Sequence, residues 1–305
     1  MTAPSLGRSL GTSAQGILYM VAACTIWGLS PIYYKLLAHV PPLELLAHRT
    51  FWSLVVFAAI LAAQGKLGQL RGALASGRAV LIVAFAALMI SANWFLFIFS
   101  VQEGHVTQTS LGYYMFPLVA VLLGTVVLGE RLGTLQWIAV ALAALAVLQL
   151  SIGHGQPPWI SLILATTFGL YGLVKKRLTV GAMVSVTAEV LVLAPLSIGW
   201  LGWLHLHGQG VFGTDAATTG LLVLSGLLTA LPLILFSAAA QRVNLATVGL
   251  LQYLNPTLQF FCAVVLFGEA LNGFQLAAFA MIWTALALYS GQAWRQSRRV
   301  TTAPA

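Results

Sequence analysis

The sequence predicts an all-α integral membrane protein of ten transmembrane helices, arranged as two inverted five-helix repeats. Three observations lead there: poverty in charge, a regular succession of apolar runs of helical length, and an internal similarity offset by 139–141 residues. Of the 305 residues, 60% are hydrophobic and only 7% charged. Soluble domains carry roughly a quarter charged residues. A surface this poor in charge suits lipid, where backbone polar groups must be satisfied inside helices or closed barrels. A mean hydropathy of +0.94 agrees.

A crossing takes about 20 mostly apolar residues. That ruler places spans at 16–38, 43–64, 79–101, 105–128 and 134–152, then at 157–177, 182–204, 217–240, 244–267 and 273–294. The first run begins at Gly16, after a polar stretch with a single Arg8, and continues to Tyr34. It outlasts the apolar region of a signal peptide, so it is read as a span. The connections are short and hold turn formers, as in Gly65-Lys66 and Gln156-Pro157-Pro158. The two repeats are therefore 16–152 and 156–294, with tails at 1–15 and 295–305.

A net charge of +8 would suit nucleic acid if it lay along one face. It does not. With ten spans, twelve of the 14 Lys and Arg fall on one side, in clusters such as Lys175-Lys176-Arg177 and Arg295, Arg298 and Arg299. Only Lys35 and Arg49 fall toward the other. The positive-inside rule then puts both termini in the cytoplasm of a bacterial inner membrane. The expected partners are the bilayer and a small solute, with no nucleic acid; the chain is a monomer or a homodimer. Cys24 and Cys262 lie in apolar runs and read as small buried hydrophobes, not a disulfide or metal pair.

The repeat rests on aligned features. Leu111 to Pro117 matches Leu250 to Pro256, with Tyr114 and Tyr253 three residues before each Pro. Gly129-Glu130 and Gly268-Glu269 follow each Pro at the same distance, and Gln102 and Gln136 align with Gln241 and Gln275. Trp27-Gly28-Leu29 through Lys35 matches Phe168-Gly169-Leu170 through Lys176. An odd number of spans per repeat inverts the second half, an architecture that places solute near the midplane between two equivalent hinges.

Trp27-Gly28-Leu29-Ser30-Pro31 with Tyr33-Tyr34-Lys35, and Leu111-Gly112-Tyr113-Tyr114 through Leu128-Gly129-Glu130-Arg131-Leu132, resemble the drug/metabolite transporter superfamily. Within it they are most similar to EamA-domain members of the RarD subgroup. The likeness runs from about Gly16 to Arg295. It implies a ten-helix basket with termini inside and a central cavity lined by spans one to four and six to nine. It also implies transport of small metabolites, amino acids being one solute class among relatives, usually outward. The subgroup's label is tied to chloramphenicol sensitivity, which leaves the physiological solute open.

Ionisable groups inside spans cost about 2.5–3.5 kcal/mol each at mid-helix, so each is a functional candidate. Arg49 and Glu189 lie well inside spans two and seven and align at an offset of 140. They could meet as a structural ion pair, or flank a solute, Arg49 taking a carboxylate and Glu189 an ammonium or a proton. Arg49 could also snorkel, as Lys35 is expected to do. Glu44 is placed at the interface, and Glu130 and Glu269 read as helix caps or gate partners.

Asn93 and Trp94 fall at the middle of span three, where an amide must find partners. Tyr114, on one face with Ser110, Pro117 and Val121, is a candidate lining residue of span four. Tyr171, with Thr167, is one in span six, and Gln252, Tyr253 and Asn255 are candidates in span nine. The alternative for each aromatic alone is helix packing or an interfacial belt. Pro117 and Pro256 are candidate hinges. Trp159, Trp200, Trp203 and Trp294 lie at span ends and read as an interfacial belt. No metal-ligand, cofactor or catalytic motif is present, and His205 and His207 are a weak metal lure. The reading is a secondary transporter of small metabolites, exporting amino acids or related amphipathic solutes by alternating access around a central cavity. A drug or other metabolite carrier of either direction, or an intramembrane enzyme or scaffold, stays open.

Overall fold

Apolar runs with few helix breakers fold as helices wherever the chain is described, and no strand occurs among the described residues. These, in the computed structural model, are residues 12–129, 133–155, 157–177, 180–240, 242–243, 248 and 251–301. The helices are α1 (Thr12–Leu36), α2 (Pro42–Ala63), α3 (Gly68–Ala73), α4 (Gly77–Gln102), α5 (Val106–Leu128) and α6 (Thr134–His154). They continue as α7 (Trp159–Arg177), α8 (Ala182–Leu206), α9 (Ala216–Ala240), α10 (Leu254–Phe261) and α11 (Gly273–Thr301). A π-helical turn, Cys262–Leu266, prolongs α10.

Seven helices, α1, α2, α4, α5, α6, α8 and α9, are long and apolar enough to cross a membrane. Shorter apolar helices lie at Trp159–Lys175, Leu254–Leu266 and Gly273–Leu288. Two local features depart from expectation. The short α3 occupies the 65–78 connection, and α11 stays helical to Thr301 where a tail was expected from 295. Chain ends follow local chemistry. Pro42 opens α2, where a missing N–H costs nothing. The Ser76 hydroxyl accepts the Ala79 N–H at 3.2 Å and caps α4.

The two halves interleave. Helix α1 packs on α9 and α10, α2 on α8 and α9, α4 on α7 and α8, and α5 on α7 and α10. Helices α6 and α11 pair with each other, through Ala139, Ala143 and Ala146 against Ala278, Ile282 and Ala285. Small residues set the closest approaches, as expected where lipid provides no hydrophobic drive between helices. A Cβ at Gly226 would lie 2.5 Å from the carbonyl of Trp52, and one at Gly28 2.6 Å from Leu258 Cβ. Leu81, Val126, Ile152 and Leu196 are each more than 70% exposed, a surface that lipid tolerates and water does not.

Candidate functional site

Arg49 is buried in α2 and faces three elements of the bundle. Its Nε donates to Thr229 Oγ1 of α9 at 2.9 Å, and Nη1 donates to the Tyr34 hydroxyl of α1 at 2.6 Å. The guanidinium lies over the Trp94 ring of α4, 4.0 Å from its centroid. A planar cation held by two hydroxyls against an indole face is fixed in orientation, which Lys could not reproduce. Among the described residues Arg49 has no carboxylate within ion-pair distance. It does not snorkel.

Asn93, one residue before Trp94, is fully buried and satisfied on both sides of its amide. Its Nδ2 donates to the Leu164 carbonyl at 2.9 Å and to Thr167 Oγ1 at 3.0 Å, and its Oδ1 accepts from the Tyr113 hydroxyl at 2.8 Å. This ties α4 to α7 and α5. Rings then follow one another at edge-to-face spacing: Tyr34 on Phe97 at 5.6 Å, Phe97 on Tyr113 at 5.8 Å, and Tyr113 on Phe168 at 5.8 Å. Phe168 stacks on Tyr171 at 6.1 Å. An aromatic wall thus runs from α1 to α7.

At its far end the Tyr171 hydroxyl donates to Glu189 Oε2 at 3.1 Å. Lys175 pairs with Glu189 Oε1, and its ammonium also reaches Ser185 Oγ at 2.5 Å. Ser185 lies one turn before Glu189 on α8 and donates to the same oxygen at 2.9 Å. Arg49 and Glu189 therefore do not pair with each other; each has its own retinue, at opposite ends of one wall. Sequence reasoning missed Tyr34, Tyr113, Thr229 and Lys175. Only Lys175 carried a signal, as a cation ten residues from Ser185, and it was counted among the cytoplasmic charges.

The other candidates fall elsewhere. The Tyr114 hydroxyl bonds Thr257 at 2.6 Å and its ring packs on Phe279 and Trp283, so it joins α5 to α10 and α11 instead of the wall. Ser110 on the same face donates to the Pro256 carbonyl at 2.8 Å; the Val121 side chain lies outside the described residues. Asn255 Oδ1 accepts from Gln259 at 2.9 Å within α10, and Gln252 and Tyr253 are half-buried just before that helix. Pro117 is inside α5, whereas Pro256 sits in the first turn of α10.

Lys35 is exposed and donates to the Gln102 carbonyl at 3.3 Å. Glu44, expected at the interface, is only 1% exposed. Glu269 is a cap: its carboxylate accepts from Val106 N, Thr107 N and Thr107 Oγ1 at 2.7–2.8 Å. Glu130, its repeat partner, lies outside the described residues, as do Gln241 and the Trp294 side chain. Trp159 and Trp203 are exposed at helix ends, and Trp203 stacks on Trp200. Both cysteines are free and buried.

A helical protein with this much exposed apolar surface, and with charges and amides held at mid-helix, belongs to the polytopic membrane proteins. Comparison with known proteins specifies which. Residues 14–152 match the model of the EamA-like transporter family. The chain is 45% identical to "Protein RarD" of Streptomyces exfoliatus, covering 93% of this chain and 90% of that one. It is 40% identical to a protein described as an uncharacterized transporter of Pseudomonas aeruginosa, covering 94% and 96%. A crystal structure with 20% identity superposes with a TM-score of 0.60 over 92% of this chain and 98% of that one, which shows a shared fold. The chain belongs to the EamA-like transporter family, among its RarD-like members, and is a bacterial multi-span membrane transporter.

Proposed function

We propose that the protein is a secondary transporter exporting amino acids or related amphipathic zwitterions, by alternating access around a cavity bordered by the aromatic wall. The observation that carries this is the wall itself, with a guanidinium fixed at one end and a carboxylate at the other. Arg49 would take the solute carboxylate in a bidentate fork. Glu189 would take its ammonium, exchanging it for Lys175, while Trp94, Tyr113 and Phe168 flank the side chain.

Ten crossings in two inverted halves fit the packing, and the positive-inside count supports both termini in the cytoplasm. Exchanging each of the first five spans with its counterpart turns α1–α9 into α7–α4, α1–α10 into α7–α5 and α2–α9 into α8–α4, all of them observed pairs. The pairs α2–α8, α5–α10 and α6–α11 map onto themselves. Side chains follow the same rule. Tyr34 and Lys175, equivalent at an offset of 141, contact Arg49 and Glu189, equivalent at 140.

The test is counterflow in proteoliposomes with labelled amino acids, and with labelled drugs as the alternative solutes. Amino acid exchange is expected, abolished by Arg49→Ala and strongly reduced by Arg49→Lys in protein that remains folded. Exchange of drugs alone, or full activity in Arg49→Ala, would overturn the reading.

A further inference from the structure

A second cluster of buried ionisable groups lies on α2, one residue from Arg49 and on a different face. Glu44 and His48 are one turn apart, 1% and 5% exposed, with His48 Nε2 4.0 Å from Glu44 Oε1. The connection between α8 and α9 folds over them. Val211 N–H donates to Glu44 Oε1 at 2.8 Å, and the Phe212 ring stacks on His48 at 5.0 Å. Phe212 also lies against Trp52, a further turn along the same face. Glu44 Oε2, both ring nitrogens of His48 and the indole nitrogen of Trp52 are buried and have no hydrogen-bond partner among the described residues.

Buried polar atoms are nearly always paired, so four such atoms in one stripe mark a site that handles something. Its chemistry is narrow. An acceptor oxygen and an amphoteric ring, packed under an aromatic strap with no third ligand, suit a proton; no group of three metal-ligating side chains occurs among the described residues. Other ionisable groups on the surrounding elements have partners of their own or are exposed, as His205, Arg78 and Glu103 are. On α2 itself, Arg49 turns to Tyr34 and Thr229. On α8, Glu189 pairs with Lys175, and His205 belongs to its last turn. In the connection, the His207 ring lies on Trp203 and Asp215 caps α9 through the Thr218 N–H. His39 bonds Thr218, Arg78 begins the far end of α4, and α9 has no ionisable residue.

We propose that Glu44 and His48 form a proton-binding site sealed by the 209–214 strap, and that the proton it takes from the outer side is exchanged for solute in each transport cycle. The coupling half rests on the transporter reading above. One proton converts carboxylate plus neutral imidazole, net −1, into a neutral pair; it adds to Glu44 Oε2 and leaves to water. The neutral pair is cheap to bury and the anionic one is not. The strap therefore closes on the protonated site and opens to release it. His48 and Arg49 are consecutive, and Gly226 seats α9 directly on the Trp52 backbone. A shift of α2 that opens the strap thus moves the guanidinium of the solute site as well.

Two measurements test this on the full chain in lipid. Infrared difference spectra between about pH 5 and about pH 9 report carboxyl protonation. The wild type is expected to show a carboxyl band that Glu44→Gln removes, that His48→Asn shifts along the pH axis, and that Glu189→Gln leaves in place. A wild-type band unchanged in Glu44→Gln, or no band that Glu44→Gln alters, overturns the site. In proteoliposomes, exchange of one proton per solute moves the steady-state solute distribution about tenfold per pH unit. That shift is expected in the wild type and lost in His48→Asn, while counterflow without a gradient persists. A distribution indifferent to pH in the wild type overturns the coupling. Absence of any solute movement defeats the transporter reading instead, and leaves the infrared result to decide the proton site.

Discussion

Replacing Glu269 by Ala strips the start of α5 of its cap. The carboxylate arrives from the connection after the π turn, where Phe267 N–H bonds Cys262 O and Glu269 N–H bonds Ala263 O, both at 2.9 Å. Gly268, at φ +68°, makes the bend that aims it. Three donors at the α5 N-terminus, Val106 N, Thr107 N and Thr107 Oγ1, lose their acceptor. Loss of a cap costs about 0.5–2 kcal/mol, and an anion at a helix N-terminus contributes about 0.3–1 kcal/mol more. Glu269→Ala should then cost about 1–3 kcal/mol, which lowers the melting temperature by roughly 2–8 °C in detergent. Glu269→Gln keeps one acceptor but turns an amide donor toward a backbone N–H, and should cost about 1–2 kcal/mol. Thr107→Val, which removes the hydroxyl bond alone, should cost about 1 kcal/mol and add little on top of Glu269→Ala. Thermal unfolding followed by tryptophan fluorescence reads all of these. A Glu269→Ala protein melting within about 1 °C of wild type would refute the capping argument.

Asp215 lies outside the membrane-crossing segments, and the Thr218 N–H at 2.7 Å holds its carboxyl below the usual value of 3.8. A lowered folded-state value contributes stability above 3.8 and loses it as the pH falls through the folded value. Asp215→Ala should melt below wild type at neutral pH, with the difference closing under acid; a constant difference would refute the assignment. Gly226→Ala forces a Cβ to within 2.5 Å of the Trp52 backbone and should cost about 1–3 kcal/mol by melting, whereas Gly220→Ala on the same helix meets nothing within 4 Å and should be neutral. Pro117→Ala restores a backbone donor inside α5, but Pro256→Ala does so in the first turn of α10. The rate of solute counterflow should therefore change more in Pro117→Ala, and equal changes would count against a hinge at Pro117.

The long apolar runs made most of the fold legible, because length and hydropathy alone decide whether a segment suits lipid. Arg49 and Glu189 were legible as buried charges for the same reason. Their partners were not. Lys175 belongs to a run of three cations, and nothing in the local sequence marks it as the partner of Glu189. Thr229 and Tyr34 reach Arg49 from α9 and α1, a tertiary arrangement with no trace in local sequence. Tyr114 matched Tyr253 in the repeat, yet its phase on α5 sends it toward Thr257 and Trp283. Glu44 follows two prolines at a span start, which suggests an exposed end; the strap from the α8–α9 connection is what buries it. Glu269 was readable as a cap from its Gly, though the helix it caps belongs to the other half.

Among the described residues Arg49 has no carboxylate partner, whereas Lys175 and Glu189 cancel. With the Glu44–His48 pair protonated, the empty carrier thus holds one uncompensated positive charge between its halves. A membrane potential, negative inside, acts on any charge that changes its depth, by about 2.3 kcal/mol per 100 mV for full passage. With Glu44 ionised while solute is bound, a zwitterion brings the balance to zero, and a simple carboxylate to −1. The step sensitive to voltage therefore identifies the solute's charge: the return step alone for a zwitterion, return and loaded steps in opposite senses for an anion. Current recorded across a supported bilayer would read the difference before the solute is known by name.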